Sequence, residues 1–124
     1  MSTPKQILVV DDEASLVQLC QIILEEAGYR VRGAFNGRQA LRLVNEEVPD
    51  LILLDVMMPG MTGIEVCEQI RNQHNGRPFI VMYTADDRDE TRTSSLTAGA
   101  NDVITKDTPI FEVAGKLESY FAAG

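Results

Sequence analysis

The chain has 124 residues, 44% hydrophobic and 24% charged, with a net charge of −8 at pH 7 and an isoelectric point near 4.5. These values fit one domain, spanning 1–124, with a single core. They speak against nucleic-acid binding, which needs clustered Lys and Arg, and favour partners with basic patches. No apolar run approaches the roughly 18 residues of a membrane span, and no leader-like stretch precedes the first strand, so a cytoplasmic location without membrane contact is expected.

Strand-like and helix-like patterns alternate five times. Ile7-Leu8-Val9-Val10 reads as strand 1. Helix 1 follows from about Glu13 to Ala27, with Leu16, Leu19, Cys20, Ile23 and Ala27 as its apolar stripe and Gly28 as its stop. Tyr29 to Ala34 alternates apolar and basic side chains, which predicts a strand near a sheet edge. Asn36 is placed to cap helix 2, where Ala40, Leu41 and Val44 face inward. Leu51-Ile52-Leu53-Leu54 is strand 3, and helix 3 runs from about Gly63 to Asn72. Phe79 to Tyr83 is strand 4. Helix 4, roughly Arg88 to Ala98, is rich in Thr and Ser and is expected to be the least stable helix. Val103-Ile104-Thr105 is strand 5. Thr108 as cap and Pro109 at the first helical position then open helix 5, whose inner face is Ile110, Val113, Ala114, Leu117 and Phe121. Cys20 and Cys67 fall inside helices and read as buried free thiols, with a metal pair or a disulfide as the alternatives.

Strands 1, 3 and 4 are continuously apolar, as in a parallel sheet covered on both faces. With right-handed crossovers this predicts a doubly wound α/β fold with helices on both faces. Each strand then ends in a polar group: Asp11-Asp12 after strand 1, Asp55 after strand 3, Thr84 after strand 4 and Lys106 after strand 5. In an open parallel sheet these ends share one edge, where ligands bind. Three carboxylates together raise at least one pKa unless a cation joins them. Hard oxygen donors without Cys or His favour Mg²⁺ over zinc. Asp11-Asp12 taken alone reads as a loop opening that caps helix 1. Asp55 is harder to read that way, because Asp is rarely buried without a partner.

These residues resemble the receiver domains of two-component response regulators. The matching segments are Ile7-Leu8-Val9-Val10-Asp11-Asp12-Glu13, Asp50 through Gly63, Tyr83-Thr84-Ala85, and Gly99-Ala100-Asn101-Asp102 leading to Lys106. The resemblance covers about Lys5 to Tyr120. It implies a five-stranded parallel sheet of flavodoxin-like order 2-1-3-4-5, with strand 2 at an edge. It implies that Asp55 is the phosphoacceptor and that Mg²⁺ (or Mn²⁺) is held by Asp12, Asp55 and the Met57 backbone carbonyl, with Asp11 acting largely through metal-bound water. Lys106 would pair first with Asp55 and then with phosphoryl oxygens. Thr84 would be the switch hydroxyl, aided by the Ala85 backbone N–H.

The implied partners are a histidine kinase or phosphotransfer protein and a downstream effector, with a homodimer through helix 4, strand 5 and helix 5. The implied chemistry is the domain's own phosphorylation and dephosphorylation, with no other enzymatic turnover. Thr84, Val103, Phe111 and Tyr120 fall on the switch and output path. His74 reads as a solvated residue, since the phosphorylated histidine of this system belongs to the kinase.

Two positions depart from the family pattern. Asp107 follows Lys106 where the family has proline with a cis bond; before a non-proline residue that bond costs roughly 3–4 kcal/mol, so trans is expected. Val103 stands where the family has an aromatic residue, which shifts the expected signal toward the loop between strand 4 and helix 4. The alternative class is a degenerate receiver that binds a partner without phosphorylation. An aspartyl phosphatase is disfavoured because Met57, not Asp, lies two beyond Asp55. A flavin module is disfavoured because Asp11-Asp12-Glu13 would repel a phosphate.

Overall fold

The computed structural model describes residues 3–74 and 76–123. The chain order is β1 (Gln6–Val10), α1 (Ala14–Glu26), β2 (Arg30–Ala34), α2 (Gly37–Glu46), β3 (Leu51–Leu54), α3 (Gly63–Gln73), β4 (Phe79–Thr84), α4 (Asp89–Thr97), β5 (Asp102–Thr105) and α5 (Ile110–Ala123). All pairings are parallel, and the sheet order is β2-β1-β3-β4-β5. β2 is an edge strand, as its alternation predicts. The order reverses direction at β1, so the crevice between the ends of β1 and β3 is the place where such a sheet binds ligands.

In place of the single core expected from the chain's length, two hydrophobic cores lie on opposite faces of the sheet, because successive strand residues point to opposite sides. Leu8, Val10, Ile52, Leu54, Ile80 and Met82 pack against α2 and α3, through Ala40, Val44, Val66, Cys67 and Ile70. Ile7, Val9, Leu51, Leu53, Val81 and Tyr83 pack against α1 and α5, through Val17, Cys20, Leu24, Val113 and Leu117. β1 and β3 contribute to both cores, which is why they carry no polar residue from Ile7 to Val10 and from Leu51 to Leu54. Among the described residues no helix is long and apolar enough to cross a membrane.

The sequence reading of several elements is corrected. The buried stripe of α1 is Val17, Cys20 and Leu24, with Leu16 and Ile23 at its margins, while Leu19 is 47% exposed. Apolar residues occupy so much of this helix that periodicity alone leaves its rotation open; only contact with β1, β2 and α5 selects the face. Strand 2 starts at Arg30, because the Tyr29 N–H closes the end of α1 on the Leu24 carbonyl. Helix 5 starts at Ile110, because the Pro109 carbonyl accepts the Glu112 and Val113 N–H groups; Pro109 is thus the cap residue instead of Thr108. Asn36 caps α2 as expected, accepting the Gln39 N–H at 2.8 Å. Cys20 and Cys67 are free and buried, with thiol pKa values pushed up to about 11 by burial.

Candidate functional site

Asp11 leaves β1 with its N–H on the Ala34 carbonyl (3.1 Å), and Asp55 leaves β3 with its N–H on the Val10 carbonyl (3.0 Å). The sheet ladder therefore continues through both residues and aims their carboxylates into the crevice. Each is buried, 3% and 4% exposed respectively. Asp11 Oδ1 accepts the Glu13 N–H at 2.9 Å, and Asp55 Oδ1 accepts the Met57 N–H at 3.2 Å. Asp11 thus opens the loop with one oxygen, but it does not cap α1: it bonds the N–H of Glu13, the N-cap residue, and α1 has no side-chain cap. The other carboxylate oxygens face Lys106 Nζ, at 2.7 Å from Asp11 Oδ2 and 3.4 Å from Asp55 Oδ2. In this structure the ammonium sits nearer Asp11 than Asp55, although the resemblance implies Asp55 as its first partner; two crowded carboxylates share one cation. Asp12 is exposed, and one oxygen each of Asp11, Asp12 and Asp55 lie within 4.8 Å of one another.

Burial and the Asp11 charge raise the Asp55 pKa above the ordinary carboxyl value, against the opposing pull of Lys106 and the Met57 N–H. Burial disfavours the Lys106 charge, but the hydrogen bond to Asp11 and the charges of Asp55 and Asp11 outweigh it and raise its pKa. One half-buried ammonium against two buried carboxylates leaves residual negative charge. An all-oxygen donor set with that residual charge, open to solvent at Asp12, fits a hard divalent cation.

The loop carrying Lys106 is fixed without proline at position 107. The Lys106 N–H donates to the Thr84 carbonyl at 2.8 Å, and the Tyr83 hydroxyl donates to the Thr108 carbonyl at 2.7 Å. The Lys106–Asp107 peptide is trans; among the described residues the cis bond is Arg77–Pro78. Asp107 is exposed and accepts a hydrogen bond from the Thr105 hydroxyl. The loop after Asp55 is fixed by Gly63, whose added Cβ would lie 2.0 Å from the Asp55 carbonyl oxygen. Only glycine lets α3 begin so close to the strand end.

Thr84 is fully buried, and its Oγ1 accepts the Asp86 N–H at 3.1 Å. Ala85 follows it in an exposed loop, and the Met57 side chain is 59% exposed. Val103 is half-buried at the edge of the core formed with α2 and α3. Phe111 is 66% exposed. Tyr120 is not an exposed contact: its ring packs on Phe79 at 4.9 Å between centroids, and its hydroxyl donates to Asp102. Periodicity on α5 could not reveal this, because the Asp102 acceptor comes from β5. His74 is half-buried, with Nε2 3.3 Å from Asn45 Oδ1 on α2, instead of fully solvated.

Two polar clusters were missed by sequence reasoning. Arg71 Nε donates to the Gly99 carbonyl and its Nη2 to Asn101 Oδ1, clamping α3 to the α4–β5 turn. Asp86 accepts from Arg88 and Thr91 at the start of α4. The spacing Asp86-x-Arg88-x-x-Thr91 before a helix was the available signal, since a short acid ahead of a helix commonly takes up its orphan donors.

Residues 7–118 match the family described as the response regulator receiver domain. The chain is 46% identical over 115 residues to the alkaline phosphatase synthesis transcriptional regulatory protein PhoP of Bacillus subtilis, covering 93% of this chain and 48% of that protein. It therefore spans about half the length of this curated relative. Among solved structures, the Francisella response regulator 1452 receiver domain superposes with a TM-score of 0.88 at 30% identity, covering 96% of this chain and 98% of that one. A response regulator receiver domain protein from Methanospirillum hungatei gives 0.91 at 29% identity, covering 98% and 96%.

Proposed function

The chain belongs to the receiver domains of two-component response regulators, and from that membership we propose that Asp55 is its phosphoacceptor, served by Lys106 and Thr84. The observation that carries this reading is the pair of buried carboxylates, Asp11 and Asp55, sharing the Lys106 ammonium at the sheet crevice. A carboxylate oxygen of Asp55 attacks phosphorus, the bond from phosphorus to the donor atom breaks, and an acyl phosphate forms on Asp55. Ionised Asp55 needs no general base for this step. Phosphoryl transfer relies on positioning and charge stabilisation more than on covalent machinery. Lys106 stays charged beside the acceptor and is placed to neutralise phosphoryl oxygens. The Thr84 hydroxyl is the donor placed at the end of the neighbouring strand, with the Ala85 N–H beside it.

Asp12, Asp55 and the Met57 carbonyl, with Asp11 through water, are the groups that would hold Mg²⁺ or Mn²⁺. That cation supplies charge neutralisation at the transferring phosphoryl group. The donor is a histidine kinase, a phosphotransfer protein or a small phosphodonor, and the readout is an effector in the same chain or another one. A homodimer through α4, β5 and α5 would use the exposed Phe111. The domain carries out only its own phosphorylation and dephosphorylation.

Intact mass after incubation with Mg²⁺ and acetyl phosphate tests the proposal, with Asp55→Asn as control. One added phosphoryl group, lost in the variant and on chelation, is the expected result. No adduct, with beryllofluoride also failing to bind, would overturn it and leave a phosphorylation-independent binding module.

A further inference from the structure

Helix α4 is anchored in an unusual way for a helix of this sheet. Its buried residues are Thr91 and Ser95, without a large apolar side chain between them, and no side-chain cap comes from its own N-cap residue, Arg88. What holds its first turn is Asp86, which lies outside the helix. Asp86 Oδ1 accepts the Arg88 N–H (3.1 Å) and Nε (2.9 Å), while Oδ2 accepts Arg88 Nη2 (2.7 Å) and the Thr91 hydroxyl (2.7 Å). These bonds hold the Asp86 carboxyl far below the usual carboxylate range, the Arg88 side chain being the largest cause and Thr91 the next. The same residue's N–H is donated to Thr84 Oγ1. One residue thus bonds the switch hydroxyl through its backbone and the helix through its carboxylate.

We propose that Asp86 is a positioning residue that couples the Thr84 hydroxyl to α4, so that a change in Thr84's hydrogen bonding is transmitted to the helix through Arg88 and Thr91. The proposal rests on the phosphoacceptor reading only for its purpose; the coupling exists in the unphosphorylated protein. By accepting the Asp86 N–H, Thr84 Oγ1 has its hydroxyl proton left to donate. A phosphoryl oxygen on Asp55 that draws the hydroxyl toward it must either stretch the bond to Asp86 or carry Asp86 along. In both cases the carboxylate grip on Arg88 and Thr91 changes, and α4 has little apolar burial of its own to resist. This gives the chain a route for the signal that does not need an aromatic side chain at Val103.

Hydrogen exchange of the full chain, read over residues 89–97, tests the coupling without phosphorylation. Thr84→Val removes the acceptor for the Asp86 N–H, and Thr91→Val removes a hydrogen bond to its carboxylate while keeping the buried shape. Each is expected to speed exchange of α4 about threefold to tenfold, the scale of one lost capping bond. If Asp86 is a single link in series, the double variant exchanges no faster than the faster single one. Effects that multiply, or an α4 that ignores Thr84→Val, would overturn the proposal. Residues 63–73 of α3 serve as the internal control and should not change.

A second arm uses Arg88→Ala, at a residue whose side chain is largely exposed. It should still take up a phosphoryl group by intact mass, but α4 exchange should no longer respond to beryllofluoride as it does in the parent chain. A full response in Arg88→Ala would also overturn the coupling. Absence of any adduct in the parent chain counts against the phosphoacceptor reading alone, and the exchange cycle on the unloaded protein then decides the coupling.

Discussion

Helices α3 and α4 each follow a strand that delivers a site residue, Asp55 from β3 and Thr84 from β4, yet they are held by different forces. α3 opens with a complete capping box, the Glu65 N–H on Thr62 Oγ1 at 3.2 Å and the Thr62 N–H on Glu65 Oε1 at 3.1 Å. It buries Gly63, Val66, Cys67 and Ile70, and Arg71 ties its last turn to Gly99. α4 buries Thr91 and Ser95 and takes its first-turn bonds from Asp86. The lesson is a division of labour: the proposed acceptor stands before a helix fixed by apolar burial, and the proposed switch hydroxyl stands before one fixed by a few hydrogen bonds. Elements that move in signalling are drawn from the less stable parts of a fold.

Paired truncations in the two helices give the largest expected contrast. Ile70→Ala, at a fully buried site, should cost about 2–5 kcal/mol, whereas Leu96→Ala on α4, 41% exposed, should cost about 0.5 kcal/mol or less. Urea denaturation of both variants measures this, and equal losses would erase the contrast. Next in size is Gly63→Ala. The added methyl must push the β3–α3 loop off the Asp55 carbonyl, at about 1–3 kcal/mol, and should slow phosphoryl uptake in the same sample. Thr62→Ala breaks the capping box and should lower stability by about 1 kcal/mol, with faster hydrogen exchange confined to the first turn of α3. The smallest effect runs in the other direction. The fully buried Ser95 hydroxyl has no hydrogen-bond partner among the described residues, so Ser95→Ala should raise the free energy of unfolding in urea, by about 1 kcal/mol or less. A loss of stability there would mean that α4 is better satisfied than its contacts indicate.

Much of this molecule was determined by the sequence. Continuous apolar runs at Ile7–Val10 and Leu51–Leu54 require strands covered on both faces, and the alternation around Arg30 and Arg32 requires an edge. Local chemistry placed the Asn36 cap and the stop at Gly28, whose φ of 99° suits glycine. Because every strand runs the same way, polar residues at strand ends were bound to gather on one edge, which made Asp11, Asp12, Asp55, Thr84 and Lys106 legible in the sequence. Contacts between elements distant in the chain were decided only by tertiary structure. The rotation of α1 onto Val17, Cys20 and Leu24 came from its neighbours, because its apolar residues exceed what one face can bury. Tyr120 was drawn inward by Phe79 and Asp102, and Lys106 was set nearer Asp11 than Asp55 by a loop tethered to Thr84 and Tyr83. A one-dimensional pattern carries period and termination, which are properties of one segment. A hydrogen bond from α5 to β5, or an ammonium shared by two carboxylates, depends on the distance between segments, which exists only once the chain has folded.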